Sequence, residues 1–499
     1  MTRNAAAVLL TRGTGVEREV FLVERAPELR FFGGYWALPG GVRGPEDGPD
    51  DDDGDGAALR RCAVRELFEE TGVLLGEAAR RAKPPARETV RRALLSERNG
   101  DSSTVDAWEA LCGHLSGDRL VRDLCRILTP PFAPTRYDTL FVRAELPAGE
   151  MPDVWPGELV GGQFVRPADA LARWLRGELL LVPPVVILLE HMVAHPDLDA
   201  LHAAMAATAE RYRAGALHRV RFSPGVLLAS LKTPTLPPAT TTNCYVVGRE
   251  DLWIVDPAPP RADEQARLFA LLDELRGEGA RLRGILVTHH HVDHVGAVVA
   301  TSTRYDLPVR GHPLTLDRLP RGFVRGEDMH DGDRIDLGRS PDGRPEWSLE
   351  AIHTPGHDRG HLCFRESRYD AVMVGDMIST ISTIVIDPPE GHLRTYLHSL
   401  ERLQQSPMTT LYPAHGPAVR DGHRVVRQYL RHRAQREQKV LAALAEGPCS
   451  ADALLPKVYW DVDRKMLKIA ARSLAAGLEK LQEDGSVRCE GEVWQLCQS

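Results

Sequence analysis

The stretch Leu286 to Gly296, L-V-T-H-H-H-V-D-H-V-G, places four side chains that ligate metals within six residues: His289, His291, Asp293 and His294. Imidazole and carboxylate are the donors that zinc or iron(II) accepts when no thiolate is offered. His289 and His291 alternate, so an extended chain points both the same way, and a turn must then bring Asp293 and His294 round. Three further ligand candidates follow in one recurring pattern. Leu349 to Ile352 runs on to H-T-P-G-H and His357, Tyr369 to Gly375 ends at Asp376, and Thr409 to Tyr412 runs into P-A-H-G and His415. Each apolar run has strand length and stops just before a His or Asp. Strand ends gathered along one edge of a sheet would let these side chains converge. A second constellation lies near the N-terminus. In R-E-L-F-E-E-T-G-V, Arg65 to Val73, Glu66, Glu69 and Glu70 stand at i, i+3 and i+4 and share a helix face. Three carboxylates on one face repel unless a cation neutralises them, and Mg²⁺ or Mn²⁺ would do so beside a substrate diphosphate.

The elements that carry these residues divide the chain. At 499 residues it exceeds what one core fills, so two or three domains are expected. Strands are predicted at Ala6–Thr11 and Val20–Glu24, followed by the glycine-rich F-F-G-G-Y-W-A-L-P-G-G, Phe31 to Gly41. Next comes an acidic run, Gly44 to Gly56, expected to be a mobile, solvated loop. One or two helices are predicted between Pro183 and Gly215, with His191, His195 and His202 as surface or packing residues. Asp256, closing the strand Trp253–Val255, would either orient a ligand or begin a turn before Pro257. Near the C-terminus, helical runs at Ala434–Glu446, Ala451–Tyr459 and Arg464–Leu481 precede a hairpin over Ser486–Leu496, the order of a winged helix. Arg464, Lys468 and Arg472 form a basic stripe opposite Leu467, Ala471, Leu474 and Leu478.

A net charge of −8 gives no global attraction to nucleic acid or anionic lipid, although local basic faces such as Arg420 to Lys439 remain. The eight cysteines never form C-x-x-C, which points to reduced thiols rather than a zinc knuckle or redox pair. No stretch is long and apolar enough to span a bilayer, and no membrane partner is expected. Cytoplasm is the expected location.

Gly40, Gly41 and Arg65 to Val73 resemble the Nudix box, G-x5-E-x7-R-E-U-x-E-E-x-G-U. That resemblance implies hydrolysis of a diphosphate linked to a nucleoside or similar group. Glu66, Glu69 and Glu70 would hold Mg²⁺ or Mn²⁺ and serve catalysis, and Arg65 would brace the loop. Counted back from Arg65, the first box glutamate falls on Ala57 and the first glycine on Asp51, so the front of the box departs from the pattern. The surrounding sequence, about Ala5 to Met192, is similar to the coenzyme A diphosphatase (Nudix 19) type. It implies Glu158 as base or extra ligand, and Arg136 and Tyr137 near the substrate.

T-H-H-H-V-D-H, T-P-G-H, V-G-D-M and P-A-H-G, over about Val220 to Arg431, resemble the metallo-β-lactamase superfamily. The glyoxalase II and lactamase-β-like protein 2 group is the nearest in pattern. This implies two zinc ions, one on His289, His291 and His357, the other on Asp293, His294 and His415, bridged by Asp376. A hydroxide between them would attack a carbonyl or phosphorus, and Asp293 would handle the proton. His290 is expected to be a neighbour rather than a ligand. His361 matches a further family histidine of near-site or structural role. The lactamase-β-like group also carries a similar C-terminal domain.

The expected architecture is thus α/β and α+β multidomain. A Nudix α/β/α sandwich spans 1–218, a metallo-β-lactamase αββα sandwich 219–432 and a small winged helix 433–499. The expected function is a bifunctional metal-dependent hydrolase acting on small molecules such as coenzyme A derivatives or nucleotides. The first half would cleave a diphosphate and the second a thioester or ester. Two alternatives stand: an RNA-processing enzyme in which the metal centre cuts RNA, and a first half that only binds its ligand.

Overall fold

The structure is a computed structural model that describes residues 2–29, 32–48, 56–76, 83–96, 102–112 and 120–497. Contacts divide the chain into two compact units, Met1–Pro224 and Gly225–Ser499.

In the first unit the apolar strand Thr2–Arg12 is the hub of the sheet. It pairs in parallel with Arg136–Glu145, from Thr2↔Arg136 to Thr11↔Glu145, and antiparallel with Glu19–Arg25 and Gly40–Val42. The partners Trp36–Ala37, Arg122–Leu128 and Leu159–Val165 complete the sheet. The helix Ala57–Thr71 buries Leu59, Cys62, Ala63, Leu67 and Phe68 against one side. Pro183–Ala194 and Leu198–Arg213 close a second core built on Leu9, Leu22 and Trp174. Gly40 is required where it stands, because a Cβ there would lie 2.3 Å from the Ala6 carbonyl oxygen. Gly72, at φ +68, ends the box helix in the left-handed cap that glycine accepts without strain. Residues 49–55 of the acidic run lie outside the described residues. Pro45–Asp47, at the start of that run, is no solvated loop: it forms a short helical turn that buries Glu46 and Asp47.

The second unit stacks two sheets with helices outside them, an α-β-β-α arrangement. One sheet orders Val324–Asp328, Pro308–Gly311, Arg281–Leu286, Asp251–Val255, Thr241–Gly248 and Val226–Lys232; the pairings from Asp251–Val255 outward to Val324–Asp328 are parallel. The other runs Arg334–Gly338, Trp347–His353, Leu362–Glu366, Ala371–Met373, Thr410–Tyr412 and Val419–Arg420. The central strands are buried on both faces, which is why they read as continuous apolar runs. The helix Gly422–Ala445 runs without a break past residue 433 into the C-terminal elements. Those are Cys449–Ser450, the helices Ala451–Val458 and Leu467–Glu483, and the hairpin Val487–Glu490 with Val493–Leu496. Among the described residues no helix is long and apolar enough to cross a membrane.

Candidate metal centres

Four loops at strand ends of the second unit deliver the predicted ligands to one place. The strand Arg281–Leu286 stops two residues before Thr288, and His289 and His291 follow in extended chain. The single-turn helix Val292–Val295 then turns Asp293 and His294 inward. His357 follows the strand Trp347–His353 through T-P-G, Asp376 sits in the turn after Ala371–Met373, and His415 follows Thr410–Tyr412. His289, His294, His357, Asp376 and His415 are buried. Their ligand atoms form two groups: His289, His291, His357 and Asp376, and Asp293, His294 and His415.

Asp376 faces both groups. Its Oδ1 lies 3.2 Å from His415 Nε2 and 3.4 Å from His294 Nε2, while Oδ2 lies 3.6 Å from His357 Nε2. On the first side His291 Nδ1 is 3.1 Å from both His289 Nε2 and His357 Nε2; on the other, His415 Nε2 is 3.6 Å from Asp293 Oδ2. Ring nitrogens turned toward one another at such separations are donors gathered around a common centre rather than partners of each other. His294 Nε2 and Asp376 Oδ1 are fully buried and make no hydrogen bond, a costly state for polar atoms unless a cation receives them. The donor set therefore fits two divalent cations.

The remaining ring nitrogens are held from behind. His294 Nδ1 is 2.8 Å from Asp256 Oδ2, which also accepts from Thr288 Oγ1 at 2.7 Å; Thr288 Oγ1 in turn lies 3.0 Å from His289 Nδ1. His357 Nδ1 meets the Val385 carbonyl at 2.9 Å, and His415 Nδ1 the Thr241 carbonyl at 3.1 Å. Such partners fix the tautomer that leaves Nε2 free to ligate. Burial, with His294 and His291 nearby, holds His289 well below the usual histidine value, and burial beside His357 brings His291 down to about 4. Both are then neutral, the form that binds metal. Against the effect of burial, Asp376 raises His294 and His415, and these charged rings in turn keep Asp376 well below the carboxylate range, so a metal ion at their Nε2 atoms would take the place of those protons.

Two expectations resolve in detail. His290 belongs to neither of the two ligand groups: it pairs with buried Asp358, whose carboxyl it holds down at about 2 against the effect of burial, and with His291 and Asp358 forms a separate, smaller donor group. His361 accepts from the Asp376 backbone N–H at 3.1 Å and meets Thr354 Oγ1 at 2.9 Å, so it braces the backbone at Asp376. Asp256 is the orienting residue, not merely the start of a turn.

In the first unit Glu66, Glu69 and Glu70 come together beneath the glycine-rich strand end. Glu70 Oε2 accepts from the Gly40 N–H at 2.9 Å, and a Cβ on Gly41 would meet the Glu66 carboxyl carbon at 2.5 Å. Arg65, 2% exposed, donates to Glu69 at 2.8 Å and to both oxygens of Asp47 at 2.8 and 2.9 Å, and lies 3.0 Å from Glu66. Glu46 approaches the same guanidinium at 3.5 Å. The count back from Arg65 is thereby corrected. Gly40 and Glu46 satisfy G-x5-E, and the acidic insertion falls in the spacer between Glu46 and Arg65. Counting forward from Gly40 would have found it. Burial raises Glu66 and Glu70, and raises Glu69 to about 7. Glu46 Oε2 is buried without a partner. Arg65 among five carboxylates, with Arg25 also acting on Glu70, leaves negative charge that a hard divalent cation would offset.

Other expected residues stand apart from this cluster in their contacts. Glu158 is exposed, and its carbonyl accepts from the Ala26 N–H. Arg136 donates to the Thr129 carbonyl at 2.7 Å, and the Tyr137 N–H donates to Thr129 Oγ1 at 3.0 Å. His191 meets Thr208 and His202 meets the Asp123 carbonyl, both packing roles. In the C-terminal helix the buried face is Ala470, Leu474, Ala476, Leu478 and Leu481; Ala471 is exposed, contrary to expectation. Of the basic residues there, Arg433 donates to the Ile384 carbonyl, Arg436 and Lys439 reach Asp461, and Arg472 reaches Asp387.

Comparison with known proteins matches three family models. They are the metallo-beta-lactamase superfamily over residues 237–415, the NUDIX domain over 1–116 and the beta-lactamase associated winged helix domain over 450–494. Lactamase-like protein adaB of Aspergillus niger is 27% identical over 269 residues, spanning 51% of this chain and 79% of that protein. Atrochrysone carboxyl ACP thioesterase nsrC of Aspergillus novofumigatus is 27% identical over 260 residues, 49% of this chain and 75% of its own. Beta-lactamase-like protein 2 homolog of Caenorhabditis elegans is 27% identical over 252 residues, 49% of this chain and 80% of its own. The chain is a multidomain hydrolase that carries a NUDIX domain, a metallo-beta-lactamase superfamily domain and a beta-lactamase associated winged helix domain.

Proposed function

We propose that the second unit hydrolyses a thioester or related ester at a two-cation centre, while the first unit cleaves a diphosphate. An acyl-coenzyme A is then the substrate class that offers both bonds. The observation that carries the reading is Asp376, whose two carboxylate oxygens face two separate histidine sets. Ligands without a thiolate fit zinc at both positions. Bound there, two zinc ions would acidify a water and polarise the scissile carbonyl. His289, His291 and His357 would hold one, Asp293, His294 and His415 the other, with Asp376 between. Asp293 would take one proton of the attacking water and return it to the departing thiolate as the C–S bond breaks, leaving a carboxylic acid that ionises to solvent. The thioesterase named among the relatives supports this choice of bond.

In the first unit Glu66, Glu69 and Glu70 would hold Mg²⁺ or Mn²⁺, which would screen the charge of a diphosphate and activate water. Glu46 beside Arg65 favours a catalytic unit over one that only binds its ligand. Glu158 remains a proposed base or extra metal ligand, and Arg136 and Tyr137 remain proposed substrate contacts.

The test is a panel of acyl-coenzyme A esters with the full chain, reading free thiol and diphosphate cleavage separately. Asp293→Ala should abolish thiol release and spare diphosphate cleavage, and Glu69→Gln should do the reverse. A wild-type chain inactive on both bonds overturns the proposal.

A further inference from the structure

We infer that Tyr429 and Arg433, on the long helix Gly422–Ala445, are positioning residues for the metal ligand His357. They would act through the main chain of residues 379–387; the inference rests on the two-cation reading above. His357 presents Nε2 to the first ligand group, and among the described residues its other ring nitrogen meets the Val385 carbonyl at 2.9 Å. Val385 lies in a segment between the Asp376 turn and the helix Leu393–Gln405 that forms neither helix nor strand. A carbonyl in such a segment cannot rely on a ladder or helix to stay in place. Something else must fix it.

What fixes it comes from the C-terminal side of the unit. Arg433 Nη2 donates to the carbonyl of Ile384, the residue before Val385. The Tyr429 hydroxyl lies 2.7 Å from the Ser379 carbonyl and 2.8 Å from that of Ser382, and accepts from the Ser379 N–H at 2.8 Å. Ile384 and Ile386, flanking Val385, bury their side chains in one cluster with Val425, Val426 and Tyr429, and with Ala476 from the C-terminal helix. Arg433 also stands 5.3 Å over the Tyr396 ring, and the Tyr396 hydroxyl donates to the Met377 carbonyl at 2.7 Å, next to Asp376. Arg472, on the C-terminal helix, ties Asp387 at 3.1 Å. The carbonyl that orients His357 is thus suspended between polar anchors, two of them on the helix that continues into the winged helix. Losing either anchor leaves buried backbone groups unpaired, at a cost in stability, and frees the segment without opening the apolar cluster.

The test uses full-length Arg433→Met and Tyr429→Phe, with Arg433→Lys as the conservative rescue, each loaded with zinc and separately with Co²⁺. Chelator competition counts and ranks the two ions, and the visible spectrum of the Co²⁺ form reports the ligand field. Each of the first two variants should release one ion about tenfold more readily, the lower end for lost outer partners of a ligand, and keep the other. The Co²⁺ spectrum should change, kcat should fall with KM within about twofold, and Arg433→Lys should recover most of the loss. Variants that keep both ions at wild-type affinity with an unaltered spectrum overturn the inference. So do variants that lose both ions together with a drop in melting temperature, which marks a general structural role. A wild-type chain that binds fewer than two ions overturns the two-cation reading itself and is distinguishable from either result.

Discussion

Replacing Asp256 by Asn should weaken both halves of the metal centre, although Asp256 is no ligand. Its Oδ1 accepts from the Thr288 N–H at 2.8 Å, and its Oδ2 faces two donors, Thr288 Oγ1–H and His294 Nδ1–H. Because Thr288 gives its proton to Asp256, its oxygen is free to accept from His289 Nδ1–H. One carboxylate therefore sets the tautomers of a ligand in each group. In the Asn variant the amide can keep its oxygen on the Thr288 N–H only by pointing NH₂ at the other two groups. Thr288 must then turn round and donate to His289, and His294 must shed its Nδ1 proton. Both rings would carry hydrogen on Nε2, the nitrogen needed for the cation. Flipping the amide instead sets two N–H groups against each other. Asn tolerates the left-handed backbone at this position, φ +50, so the comparison is free of a backbone penalty. Outer partners of ligating histidines are worth about 10–100-fold in metal affinity, or roughly 1.4–2.7 kcal/mol. Zinc affinity by chelator competition on the full chain should fall by that factor for both ions. An Asp256→Asn protein that holds two ions as tightly as wild type would refute the tautomer argument.

Three further outcomes follow from the packing. Arg65→Met leaves Asp47, Glu66 and Glu69 without their shared buried cation and should destabilise the first unit by about 3–5 kcal/mol in denaturant unfolding; a loss below about 1 kcal/mol would contradict the pairing. Gly356→Ala, at φ +131 with its Cβ 2.3 Å from the Tyr396 backbone, should cost more than about 2 kcal/mol and lower the melting temperature even without metal. Asp342 is held at about 2 chiefly by hydrogen bonds from Arg368, with folding stabilised while it is ionised. Its folded value lies below the unfolded one. The stability lost in Asp342→Asn, at most about 2 kcal/mol, should therefore be constant above about pH 5 and vanish as pH falls from about 4 to 2. A difference that persists at acid pH would show that another interaction is responsible.

The candidate ligands of the second unit were legible because each motif that carries them follows an apolar strand, and strand ends on one sheet edge converge by geometry alone. The box glutamates were legible because helical spacing puts them on one face. The partners that hold the rings were not. Val385 and Thr241 act through carbonyls, which every residue possesses, and no side-chain pattern marks them. Glu46 was missed because an insertion stretched the spacer to Arg65, and spacing counted through an insertion lands on the wrong residues. Ala471 was misplaced by one position: Leu474 and Leu478 are buried as the spacing predicts, but the face they share is completed by Ala470 and Leu481 at helical intervals, which leaves Ala471 about 100° round the helix from Ala470.

Anomalous diffraction at the zinc edge, from crystals of the zinc-loaded full chain, would locate any cations beside Asp376. Two peaks are expected in the second unit, one against His289, His291 and His357 and one against Asp293, His294 and His415, each within coordinating distance of a different Asp376 oxygen. A single peak, or a second peak that Asp376 does not touch, would contradict the two-cation reading.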